Sequence, residues 1–145
     1  MLRDVPKFWI AVLAVLGIAC TTYSVVGIYY IRLEQRRQAG MQEVMARAQP
    51  IIAALRTYQK RYGKPPENLQ ALQQPFPQPG PMAKNGWEYS PGNTEWTLAI
   101  SVSSDYPQSL GGGDMFRYCS DGKYLAGGDD GELERIGEWG YSTYY

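Results

Sequence analysis

The chain contains no histidine, which removes at once the commonest general base and the commonest nitrogen ligand for metals. Cysteine is nearly as scarce. Cys20 lies within an apolar run and Cys119 stands alone in the remainder, so no intramolecular disulfide framework is possible. A Gly-x-Ser-x-Gly elbow, a phosphate-binding glycine loop and an EF-hand spacing are all missing. Basic and acidic residues balance at 14 each, so no nucleic-acid footprint is present. No small-molecule substrate is evident either. These absences point away from an enzyme and toward a structural or interaction protein.

A further absence is local. From Phe8 to Ile31 the chain runs 24 residues without a charge, between Lys7 and Arg32. At about 1.5 Å per residue such a helix crosses a hydrocarbon core of roughly 30 Å. Thr21, Thr22 and Ser24 can return their hydroxyls to the preceding turn, and Trp9, Tyr29 and Tyr30 sit near the ends where ring dipoles meet headgroups. Arg3 and Lys7 before an apolar run also fit a cleaved secretory signal. Gly17-Ile18-Ala19-Cys20 resembles a lipoprotein processing site, yet the apolar run continues eleven residues past Cys20. The reading adopted is an uncleaved membrane anchor at 8–31, after a short polar head at 1–7. Charge counting does not orient it, because Arg32, Arg36 and Arg37 follow the anchor and oppose the positive-inside rule.

Beyond the anchor, apolar residues at Met41, Val44, Met45, Ala48, Ile52, Leu55 and Tyr62 recur at three- and four-residue steps, the period of an amphipathic helix. Pro50 is expected to kink it. Gly63 followed by Pro65 and Pro66 is a stop. Pro66 to Leu72 predicts one or two helical turns presenting Leu69 and Leu72. The stretch 73–86 reads as a loop with too little apolar content to bury itself. Strands are expected at Gly86–Tyr89 and Glu95–Val102, separated by the turn Ser90–Asn93. In the second, Trp96, Leu98, Ile100 and Val102 alternate with polar or small residues. A third strand, Met115–Ser120, is expected to pair with a fourth, Lys123–Ala126, across Asp121-Gly122, the strongest hairpin signal in the chain. Gly127–Tyr145 reads as a glycine- and acid-rich tail, aromatic over 140–145. The fold class expected is α+β: a long N-terminal membrane-spanning helix continuing into a helix packed on a small antiparallel sheet, with one soluble domain over 32–139.

Read in order, these features resemble the type IV pilins and the pseudopilins of type II secretion. The segment Ala54–Leu72 (ALRTYQKRYGKPPENLQAL) carries the resemblance most specifically, with Trp87-Glu88-Tyr89, Arg117–Gly122 and Asp129-Asp130-Gly131 adding to it. The resemblance implies a single-pass protein of the bacterial inner membrane, with a cytoplasmic N-terminus and a pilin-like domain in the periplasm. Its partners would be membrane lipid and other pilin or secretion-system proteins. Family members carry a short basic leader and a glutamate early in the apolar run. No carboxylate lies between Phe8 and Ile31 here, so the resemblance implies an accessory, cap or assembly factor rather than a major filament subunit. A membrane-tethered periplasmic binding or sensor module outside any filament is the alternative.

Three groups of residues are candidate sites. Met41, Val44, Met45 and Ala48 on the outer helix, with Trp139 and Tyr144 near the C-terminus, are candidates for partner contact; the terminal aromatics could equally fold back onto the sheet. Asp121, Asp129, Asp130 and Glu132, with Glu134, could offer hard oxygen ligands to calcium; the competing reading is that Asp-Gly pairs are turns and the other acids are solvated. No other cofactor is expected. Cys119 reads as a small core residue rather than an intermolecular disulfide.

Overall fold

The computed structural model describes residues 7–103, 114–124 and 133–143, and the fold is α+β. One helix, α1 (Lys7–Tyr62), precedes a 3₁₀ turn (Leu69–Leu72) and five strands: β1 (Glu88–Pro91), β2 (Trp96–Ser101), β3 (Met115–Cys119), β4 (Leu133–Ile136) and β5 (Trp139–Ser142). The chain divides into two units, Met1–Arg36 and Arg37–Tyr145.

Within the first unit, α1 carries no charge from Phe8 to Ile31 and is largely apolar on every side there. From Ala11 to Ile31 all side chains but Val12 are exposed. Thr21 and Ser24 hydroxyls donate to the carbonyls of Ile18 (2.9 Å) and Cys20 (2.8 Å), and Thr22 bonds Ile18 in the same way. The polar groups of these three residues are therefore absorbed by the helix itself.

The second unit is built where α1 changes to a 3.6-residue apolar period. Met41, Val44, Ala48, Ile51, Ile52 and Leu55 are all buried. They share one core with Trp96, Leu98 and Ile100 of β2, Phe116 and Tyr118 of β3, and Trp139 and Tyr141 of β5. The predicted stripe is thus the core ridge, except that Tyr62 is exposed and Met45 is half-buried. Pro50 sits on the exposed side and α1 runs through it without a break; the carbonyl it leaves unbonded, that of Ala46, is on an exposed residue. Helix α1 ends as expected: Gly63 adopts φ 74 and its N–H donates to Gln59 O at 2.8 Å. Asn68 then caps the 3₁₀ turn, its Oδ1 accepting Ala71 N–H at 3.0 Å.

The sheet is antiparallel throughout, in the order β1-β2-β3-β5-β4. The alternation over Trp96–Val102 is observed, with Ala99 also buried. Four expectations are corrected. The first strand lies two residues later than expected, at Glu88–Pro91, and the turn that follows is closed by Gly92 N–H on Glu95 O at 2.7 Å. Pro91 can enter because β1 is an edge strand. The segment 73–86 does bury apolar weight, since Met82 and Pro79 are fully covered. Backbone bonds Lys84 N–H to Ser101 O (2.8 Å) and Ser103 N–H to Met82 O (2.9 Å) lay that segment along the end of β2.

The third correction concerns Asp121-Gly122. It is a tight turn, with Gly122 at φ 68 donating to Cys119 O at 3.0 Å. Yet Lys123 and Tyr124 are not strand, and Leu125 and Ala126 lie outside the described residues. Both edges of β3 are already occupied, by β2 and β5. Fourth, 133–142 is not a tail but the hairpin β4–β5, turning on Gly137 (φ 62) and Glu138, a two-residue loop with glycine first.

Candidate interaction surfaces

Helix α1 is long and apolar enough to cross a membrane, a test that a signal sequence also meets. Among the expected partner-contact residues, Met41, Val44 and Ala48 are at most 2 % exposed. They are packed into this chain's own core, with Met41 also touching the wall of a groove beside it. Trp139 is equally covered, stacked on Phe116 with ring centroids 4.8 Å apart. Met45 remains partly accessible, and Tyr144 lies outside the described residues.

What Met45 does line is a groove of about 240 Å³ between α1 and β4, with Arg37, Gln38, Met41, Gln42, Glu134 and Ile136. Edge strand β4 supplies one wall. Arg37 closes one end, its guanidinium 2.8 Å from the Glu134 carboxylate and over the Tyr141 ring at 5.4 Å from the centroid. Beneath it the Tyr141 hydroxyl donates to Asp114 Oδ2 at 2.9 Å. Burial, with the Asp114 carboxylate as hydrogen-bond acceptor and neighbouring charge, holds the Tyr141 phenol well above its ordinary range; the Arg37 charge opposes that shift. Such a groove can seat one or two apolar side chains beside β4, whose outer edge pairs with no strand among the described residues. Sequence reasoning missed Arg37, Asp114 and Tyr141 as a group. A signal existed for Asp114, which has the parity of Phe116 and Tyr118 and therefore faces the core.

The acidic set is only partly placed. Asp121 Oδ1 accepts Lys123 N–H at 2.9 Å, an Asx turn. Asp129, Asp130 and Glu132 lie outside the described residues. Among the described residues no group of three or more acidic or cysteine side chains could hold a metal. Glu134 is engaged with Arg37.

Cys119 is half-buried on the sheet face opposite the core, 3.8 Å from the Thr97 hydroxyl. Burial pushes its thiol up, against the pull of the Thr97 bond and Arg117, so it is a poor nucleophile. Tyr124 lies on the same face. Its hydroxyl accepts Cys119 N–H at 3.0 Å and donates to Glu138 O, while Arg135 sits 4.0 Å over its ring. The ring rests on Gly140, where a Cβ would come within 2.6 Å of Tyr124 Cδ1.

A larger open groove, about 670 Å³, runs between the last turns of α1 and the segment 71–76, with Tyr58, Arg61, Tyr62 and Phe76 among its walls. Gln73 beside it holds φ 52, the one left-handed residue other than glycine among those described.

No protein-family model, no curated protein and no solved structure matches this chain.

Proposed function

We propose that this chain is a single-pass protein of the bacterial inner membrane whose pilin-like domain stands in the periplasm as an accessory of a pilus or type II secretion apparatus. One observation carries the reading. A single helix supplies both an exposed, all-round apolar segment and the ridge Val44, Ala48, Ile51 and Leu55 of a core closed by an antiparallel sheet. An apolar helix exposed on every side is stable in lipid and not in water. The passage Tyr62-Gly63-Pro65-Pro66-Leu69-Leu72 leaving that helix supports the pilin comparison. The uncharged apolar run supports an accessory position. A buried carboxylate that pairs a neighbour's amine needs both partners, and this chain brings no carboxylate between Phe8 and Ile31.

A photo-crosslinker at exposed Gln42, beside the Met45 groove, tests the reading in the native host. Adducts with pilin-type subunits are expected. Adducts with none of them would leave a free-standing membrane-tethered module in place of a filament accessory.

A further inference from the structure

Every hydroxyl over 21–24 has an acceptor inside the helix except one. Thr21, Thr22 and Ser24 bond carbonyls one turn back, whereas Tyr23 is 82 % exposed and its hydroxyl has no partner among the described residues. Tyr23 lies past the midpoint of the Phe8–Ile31 run by about 5 Å along the axis. Side chains on a helix lean toward its N-terminus. The ring therefore points back into the hydrocarbon centre, away from the nearer interface, and cannot reach headgroup water. Lipid tails offer no acceptor, so an unpaired phenol at that depth is costly.

We propose that Tyr23 is the centre of a parallel, two-fold contact between the anchor helices of two copies of this chain. This inference rests on the membrane-anchor part of the functional reading and goes beyond it. A hydroxyl is both donor and acceptor, so it is complementary to itself. A second copy inserted in the same orientation brings another Tyr23 to the same depth, which no other membrane helix is bound to do. The flanking residues fit such a seam. Leu13, Leu16, Cys20, Tyr23, Gly27 and Tyr30 follow one another at alternating steps of three and four, the spacing of a left-handed helix pair. A Cβ at Gly27 would meet nothing within 4 Å, so the notch one turn above Tyr23 is open to the partner's ring.

Cys20 lies in this seam and reports on it directly. In native membranes containing the full chain with Cys119→Ser, a mild oxidant is expected to give a Cys20-linked dimer. Moving the thiol to the opposite face (Cys20→Ala with Ile18→Cys) is expected to abolish it. Tyr23→Phe, which keeps the ring, is expected to lower the dimer fraction about three-fold. Equal crosslinking from position 18, or no Cys20 dimer in a protein retained by carbonate-washed membranes, overturns the contact while leaving the anchor standing. Release of the intact chain by carbonate overturns the anchor and the contact together.

Discussion

The Tyr141 hydroxyl and the Asp114 carboxylate meet at 2.9 Å inside the core, both residues less than 5 % exposed. Asp114 gives its carbonyl to Val102 N–H at 2.8 Å, but its second carboxylate oxygen has no partner among the described residues. One phenol thus stands between the sheet and a wholly unsatisfied buried acid. Above it Arg37 covers the Tyr141 ring and pairs with Glu134, so α1, β4 and β5 converge on this contact.

Tyr141→Phe removes the bond and keeps the ring. The expected loss is about 1–3 kcal/mol, the desolvation cost of leaving a buried acceptor unpaired. Thermal or urea unfolding of the full chain in detergent measures it. Adding the isosteric change Asp114→Leu should recover part of the loss, because the orphaned acid goes too; additive losses would show that the contact is not what couples them.

Alkaline pH should weaken the domain. Tyr89 donates to Pro66 O at 2.8 Å, and burial, with nearby Tyr58 second, pushes it up to about 12; Tyr141 is raised as well. A folded-state value above the unfolded one means stability is fully present below the unfolded value near 10 and is lost as pH climbs through the folded one. Melting temperatures recorded from pH 9 to pH 11.5 should fall across that window. In Tyr89→Phe the fall should be shallower.

Gly140→Ala should destabilise by about 1–3 kcal/mol, since the new Cβ overpacks against Tyr124. That ring cannot swing aside cheaply, being held by Cys119 N–H and Glu138 O. Combining it with Tyr124→Ala should cost less than the sum of the two single changes in the same unfolding assay.

Gln59 accepts the Trp96 indole N–H at 3.1 Å, and that indole is 1 % exposed. Gln59→Leu strands the N–H, with an expected cost of about 1–3 kcal/mol. Gln49→Leu, on the exposed side of the same helix, should change stability by less than about 0.5 kcal/mol.

Millimolar calcium should leave the melting temperature unchanged where Asp121 serves only the turn that its bond to Lys123 N–H closes. A clear rise would instead assign a cation to Asp121 with Asp129, Asp130 and Glu132.

The apolar run, the 41–55 stripe, the Gly63 stop and the Trp96–Val102 alternation were legible in the residues themselves. Each is a local code: an uncharged length, a period of 3.6, a positive-φ glycine before prolines, a period of two. Pairing carries no such code. Asp121-Gly122 has the right turn chemistry, but β5 competes for the same edge of β3 and holds it by matching Phe116 with Tyr141 and Tyr118 with Trp139. Only the tertiary structure could decide that contest, and with it turn a presumed aromatic tail into an inner strand. The same limit applies to Met41, Val44 and Ala48. An amphipathic stripe reads identically whether its own sheet or another chain covers it, because periodicity records that a face is buried and not against what.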